Sequence, residues 1–147
     1  MPSPPSEAPT RILVVDDEPF IRDLVRDTLR SRNYETGMAS NGAEALDLLS
    51  RESFDIVVTD VVMPGMEGLE LVKRIKKSHP GTRVIVLTGF ARNADIGDFL
   101  LQGADDLLPK PFRANDLIEV IRRVIKGGGP RGASTGDGSG GDPAPGA

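Results

Sequence analysis

Three aspartates, a threonine and a lysine are the residues of this sequence best suited to chemistry, and each closes a short apolar run. Asp16 and Asp17 follow Ile12-Leu13-Val14-Val15, and Asp60 follows Ile56-Val57-Val58-Thr59. Thr88 follows Val84-Ile85-Val86-Leu87, and Lys110 follows Leu107-Leu108-Pro109. Short apolar runs rich in β-branched residues fit strands buried on both faces of a parallel sheet. In open α/β sheets the loops at the carboxyl ends of the strands form the binding crevice, so all five side chains are expected to meet there. Three carboxylates so close repel: a like-charge pair at about 4 Å costs roughly 4 kcal/mol at an effective dielectric near 20. A bound cation relieves this. All-oxygen ligands, with no Cys and no nearby His, favour magnesium, calcium or manganese over zinc. Mg2+ is the expected ion, because it takes one or two carboxylates, keeps water and binds phosphate. With a lysine as fixed positive charge and a hydroxyl as donor, the site suits a transferring phosphoryl group, whose equatorial oxygens need electrostatic clamping. A carboxylate can itself be the nucleophile, and Asp60, on the central strand, is the candidate.

The elements that must position these residues alternate. After the first strand, Pro19 suits a first helical turn, and Phe20, Ile21, Leu24, Val25, Thr28 and Leu29 recur at helical spacing while Arg22, Arg26 and Arg30 face elsewhere. Residues 34–38 read as a second strand, and Asn41-Gly42 turns into a helix carrying Ala45, Leu46, Leu48 and Leu49. Beyond Asp60, Pro64 and Gly65 lead into a third helix marked by Leu69, Leu71, Val72 and Ile75, stopping near His79-Pro80-Gly81. Residues 94–102 are expected to be helical with Gly103 as C-cap, residues 106–108 to form a fifth strand, and Leu117, Ile118, Val120, Ile121 and Val124 to mark a last helix ending by Gly127. Five strands alternating with five helices predict an α/β fold. It is a doubly wound (βα)5 flavodoxin-like three-layer sandwich, with a parallel five-stranded sheet of order 2-1-3-4-5.

Residues 1–10 are Pro-rich and polar and read as a disordered lead-in, and residues 11–126 form the one domain. Residues 127–147 contain only Gly, Pro, Ser, Thr, Ala, Arg and Asp, which cannot build a core, and read as a flexible tail or linker. A formal charge of -4 leaves no basic footprint for direct nucleic-acid binding. The chain has no cysteine, no apolar run long enough to span a bilayer and no signal-peptide pattern at its start, so a cytoplasmic location without membrane contact is expected. His79, the only histidine, reads as a solvent-exposed cation at a helix end rather than a phosphocarrier.

Val14-Val15-Asp16-Asp17-Glu18, Asp60-Val61-Val62-Met63-Pro64-Gly65-Met66-Glu67-Gly68, Leu87-Thr88-Gly89, and Gly103-Ala104-Asp105-Asp106 followed by Lys110-Pro111-Phe112 stand in order on the expected strand ends. Together they resemble the receiver domain of two-component response regulators, the CheY-like superfamily, over about residues 10–126. The resemblance implies that Asp60 is phosphorylated from the phosphohistidine of a sensor histidine kinase or a histidine phosphotransfer protein, forming an acyl phosphate. It implies that Asp17 and Asp60 ligate Mg2+ directly, that Asp16 acts largely through water, and that the backbone carbonyl of Val62 is a further ligand. Thr88 would bond a phosphoryl oxygen, and Lys110, preceding a Pro111 joined by a cis peptide in the family, would pair with the phosphoryl group. Two departures from the usual pattern involve three positions. Leu107 stands where the family usually has an aromatic switch residue, which points output toward backbone shifts of the last helices. Val62 and Phe90, at positions that tune water access, are both apolar and are expected to shield the phosphoryl group and lengthen its life.

The expected function is therefore a phosphorylation-operated signalling switch with no attached effector domain in this chain, catalysing only its own phosphorylation and dephosphorylation. It signals through altered binding of a downstream protein at the surface of the 94–102 helix, the fifth strand and the last helix, as a monomer or a phosphorylation-dependent dimer. The alternative is an interaction module on the same fold that ignores phosphate, favoured by Leu107. A haloacid-dehalogenase-type phosphohydrolase needs a second acid two residues after the nucleophile, where this chain has Val62, and no Gly-rich nucleotide-binding motif follows a strand.

Overall fold

The computed structural model describes residues 9–60, 68–89 and 100–127. The elements are β1 (Arg11–Val15), α1 (Pro19–Arg30), β2 (Glu35–Ala39), α2 (Gly42–Arg51), β3 (Ile56–Asp60), α3 (Gly68–Ser78), β4 (Arg83–Thr88), β5 (Asp106–Pro109) and α4 (Ala114–Ile125). Every strand pairing is parallel, and the sheet runs β2-β1-β3-β4-β5, the order expected for five βα units joined by right-handed crossovers.

Side chains alternate across the central strands and so supply two cores. Ile12, Val14, Ile56, Val58, Ile85 and Leu87 pack with Val25 and Leu29 of α1 and with Leu117, Ile121 and Val124 of α4. Leu13, Val15, Val57, Val84 and Val86 pack on the other face with Ala45 and Leu49 of α2 and Leu71, Val72 and Ile75 of α3. Continuous apolar strands are thus explained by a cover on each side. Local chemistry sets the helix starts. Asn41 caps α2 by accepting from Glu44 N at 2.8 Å, and Asp116 in the first turn of α4 accepts from Arg113 N at 2.9 Å.

Three details differ from expectation. The second strand starts one residue later, because Tyr34 N donates to Leu29 O and completes the turn that ends α1, with Asn33 at φ 67°. The apolar stripe of α1 is narrower than its sequence period: Val25 and Leu29 are buried, but Phe20 is 76% and Leu24 46% exposed. His79 is half-buried rather than solvent-exposed, with Nε2 at 3.1 Å from the Leu49 carbonyl, so it ties the end of α3 to α2. The 94–102 helix lies mostly outside the described residues; Leu100 and Leu101 are helical. No helix among the described residues is long and apolar enough to cross a membrane.

Gly103 follows at φ +109°. A Cβ there would stand 2.7 Å from Lys76 Cγ and 3.3 Å from Lys76 Cβ. That stem cannot easily swing away, because Lys76 Nζ donates to Thr82 O at 2.8 Å and pairs with Asp105 at 3.2 Å. Gly103→Ala is expected to cost about 1–3 kcal/mol, read as a lowered urea midpoint at unchanged slope.

Candidate functional site

The sheet register brings the chosen residues to one edge. Val15 is level with Thr59, Asp60 with Leu87, and Thr88 with Pro109. Asp16 therefore lies beside Asp60 across the β1/β3 seam, Thr88 one residue beyond the partner of Asp60, and Lys110 directly after β5. Lys110 N donates to Thr88 O at 2.6 Å, and the Lys110–Pro111 peptide is cis.

Carboxylate oxygens of Asp16, Asp17 and Asp60 lie within 4.8 Å of one another. Asp16 and Asp60 form the floor, at 0% and 7% exposure, Thr88 is buried beside them at 3%, and Asp17 is exposed at the mouth. Lys110 Nζ stands 3.3 Å from Asp60 Oδ1 and 3.9 Å from Asp16 Oδ2. Asp16 Oδ1 accepts from Glu18 N at 2.9 Å, whereas the buried Oδ2 has no hydrogen-bond partner. Burial raises the Asp16 carboxyl above the usual aspartate range, and the charges of Asp60 and Asp17 add to this. The Glu18 N–H, foremost, and Lys110 oppose it.

Among the described residues the Lys110 ammonium faces three carboxylates, which leaves a negative surplus, and Asp16 Oδ2 has no hydrogen-bond partner there. Oxygen donors with surplus negative charge fit a hard divalent cation such as Mg2+. Of the expected site residues, Asp16, Asp17, Asp60 and Lys110 lie together, and Thr88 ends β4 beside Lys110, while Val62 and Phe90 lie outside the described residues. Leu107, level with Val86, is half-buried against the core under α2 and α3.

Two contacts escape a reading by sequence period. Thr59, fully buried, donates its hydroxyl to the Asp60 carbonyl at 2.9 Å. Arg22, expected to face elsewhere, instead donates from Nη1 to the Asp16 carbonyl at 2.8 Å. Helical side chains lean toward the N-terminus, so a long cation in the first turn of α1 covers the loop before it; that was the available signal.

Fold and site define a doubly wound α/β domain with an acidic, lysine-facing crevice at the carboxyl edge of its sheet. Residues 12–122 match the family model of the response regulator receiver domain, and the chain belongs to that family. It is 37% identical over 118 residues to the response regulator MprA of Mycobacterium sp. (strain KMS), covering 80% of this chain and 51% of that protein. It is 34% identical over 117 residues to the chemotaxis protein CheY of Thermotoga maritima, covering 79% of this chain and 98% of that one. The chain thus spans about half the length of its MprA relatives and nearly all of that CheY. Among solved structures, the CheY-like receiver domain protein of Methanospirillum hungatei JF-1 superposes with a TM-score of 0.79 at 33% identity, over 82% of this chain and 96% of that one. The receiver domain of NtrX from Brucella abortus gives 0.75 at 36% identity, over 78% and 98%.

Proposed function

We propose that Asp60 accepts a phosphoryl group from the phosphohistidine of a sensor histidine kinase or histidine phosphotransfer protein, and that the acyl phosphate changes the binding of a downstream protein. The observation that carries this reading is Lys110 Nζ at 3.3 Å from Asp60 Oδ1 within the acidic triad: a nucleophile, a fixed cation and metal-binding oxygens in one crevice. In the transfer a carboxylate oxygen of Asp60 forms the new P–O bond as the P–N bond breaks, and the imidazole leaves with the electron pair. Lys110 turns from the carboxylate to the phosphoryl oxygens, and Thr88 donates its hydroxyl to one of them. Asp16, Asp17 and Asp60, with the Val62 carbonyl, would hold Mg2+, which when bound neutralises charge on the phosphoryl oxygens. The protein acts in the cytoplasm without direct nucleic-acid contact, as a monomer or a phosphorylation-dependent dimer, and its chemistry is confined to its own phosphorylation and dephosphorylation.

A protein donor must reach a recessed carboxylate. Phe20 and Leu24, exposed on α1, the helix that follows the Asp16-Asp17 loop, offer apolar surface for such a donor. Radiolabel should pass from a phosphorylated histidine donor to this chain and be released by hydroxylamine, as an acyl phosphate is. Phe20→Ala should slow that transfer by roughly tenfold, as for a buried aromatic anchor, and leave labelling by acetyl phosphate within about twofold. Label that resists hydroxylamine would defeat the reading. A second reading, a phosphate-independent interaction module, is favoured by Leu107 at the usual switch position; partner affinity unchanged by phosphorylation would select it.

A further inference from the structure

Asp16 is tied at three of its atoms. Its N–H donates to Ala39 O at 3.1 Å, its Oδ1 accepts from Glu18 N at 2.9 Å, and its carbonyl accepts from Arg22 Nη1 at 2.8 Å. The first two bonds fix Asp16 itself and leave Oδ2 toward the crevice. Asp17 is exposed, and the direction of its side chain follows the plane of the Asp16–Asp17 peptide, whose oxygen Arg22 holds. Arg22 is half-buried, and its own N–H donates to Glu18 O at 3.0 Å, so the first turn of α1 and the acidic loop close into one ring. We propose that Arg22 is a positioning residue for the divalent-cation site: by clamping the Asp16 carbonyl it sets the Asp17 carboxylate to converge with Asp16 and Asp60. The inference rests on the reading of the acidic triad as a Mg2+ site.

The sign of the effect separates positioning from charge. A cation that acted only through its field would repel Mg2+, so its removal would tighten binding. Loss of a clamp on a ligand loop weakens it, typically by roughly tenfold or more. Arg22→Met keeps the aliphatic stem and removes the donor. Arg26→Met makes the same charge change on the same helix, where Arg26 pairs with Asp23 and Asp27 outside the site. Calorimetric titration with Mg2+ is expected to show roughly tenfold weaker binding for Arg22→Met, and binding within about twofold of wild type for Arg26→Met, at matched thermal stability. Equal or tighter binding by Arg22→Met overturns the proposal. Wild-type protein that binds no Mg2+ overturns the underlying metal site and the proposal with it, whereas wild-type binding with an unaffected Arg22→Met overturns the proposal alone. Should Arg22→Met fail to fold, nuclear magnetic resonance of the wild-type Arg22 guanidinium decides: restricted rotation supports the clamp, and averaging as fast as in a solvent-exposed arginine overturns it.

Discussion

Lys110→Met is expected to slow phosphorylation of Asp60 by acetyl phosphate by roughly 10²- to 10³-fold, the cost of removing one preorganised donor from developing charge. The ammonium stands 3.3 Å from Asp60 Oδ1 on a side chain only 24% exposed, so solvent replaces it poorly. Methionine retains most of the stem and none of the charge. Mg2+ affinity should hold or rise, because a cation has left a cation site, and this separates a lost clamp from a lost metal. Growth of the phosphoryl adduct followed by intact mass measures the rate; a change below about threefold would remove Lys110 from the transfer.

Asp16→Asn should act with opposite signs on the free and metal-bound protein. The folded-state pKa of Asp16 is raised, chiefly by burial, so the folded chain holds the proton more tightly than the unfolded one. Its stabilising contribution is complete below the ordinary aspartate value of 3.8 and is lost as pH rises through the raised value, above which the buried carboxylate is charged and its Oδ2 has no hydrogen-bond partner. An asparagine there is neutral at every pH and can turn its amide toward Asp60. Without Mg2+ the variant should be more stable at pH 7 by about 1 kcal/mol, or about 4 °C in Tm, and this gain should shrink toward acid. With Mg2+ at a hundred times its Kd, wild type should gain about 2.7 kcal/mol and the variant far less. Thermal denaturation at two pH values, with and without Mg2+, reads both. A variant less stable than wild type in the absence of metal would show that Asp16 is not held at a cost in the free protein.

Much of this site is legible in the chain because its geometry follows from the sheet. β1, β3 and β4 each contain an unbroken apolar run, which a two-sided cover explains, and in a parallel sheet their carboxyl ends must share an edge. Asp16, Asp60 and Thr88 are therefore placed by strand period and topology, without knowledge of any side-chain contact. Lys110 follows from the short β5 run before it. The rest depends on interactions that period does not encode. Phe20 and Leu24 fit the helical repeat of α1 yet stay exposed, because repeat alone does not say how wide a stripe the sheet covers. His79 looks like a solvated helix end until α2 presents the Leu49 carbonyl. Arg22 lies off the apolar stripe but reaches back over its own N-terminus, a matter of stem length and side-chain direction rather than spacing.

The most direct test of phosphoacceptance is intact mass after incubation with acetyl phosphate, with and without Mg2+, for wild type and Asp60→Asn. A single Mg2+-dependent phosphoryl adduct on wild type, absent from Asp60→Asn, is the predicted result. An adduct that persists in Asp60→Asn, or none on wild type with either acetyl phosphate or a phosphorylated histidine donor, would contradict it.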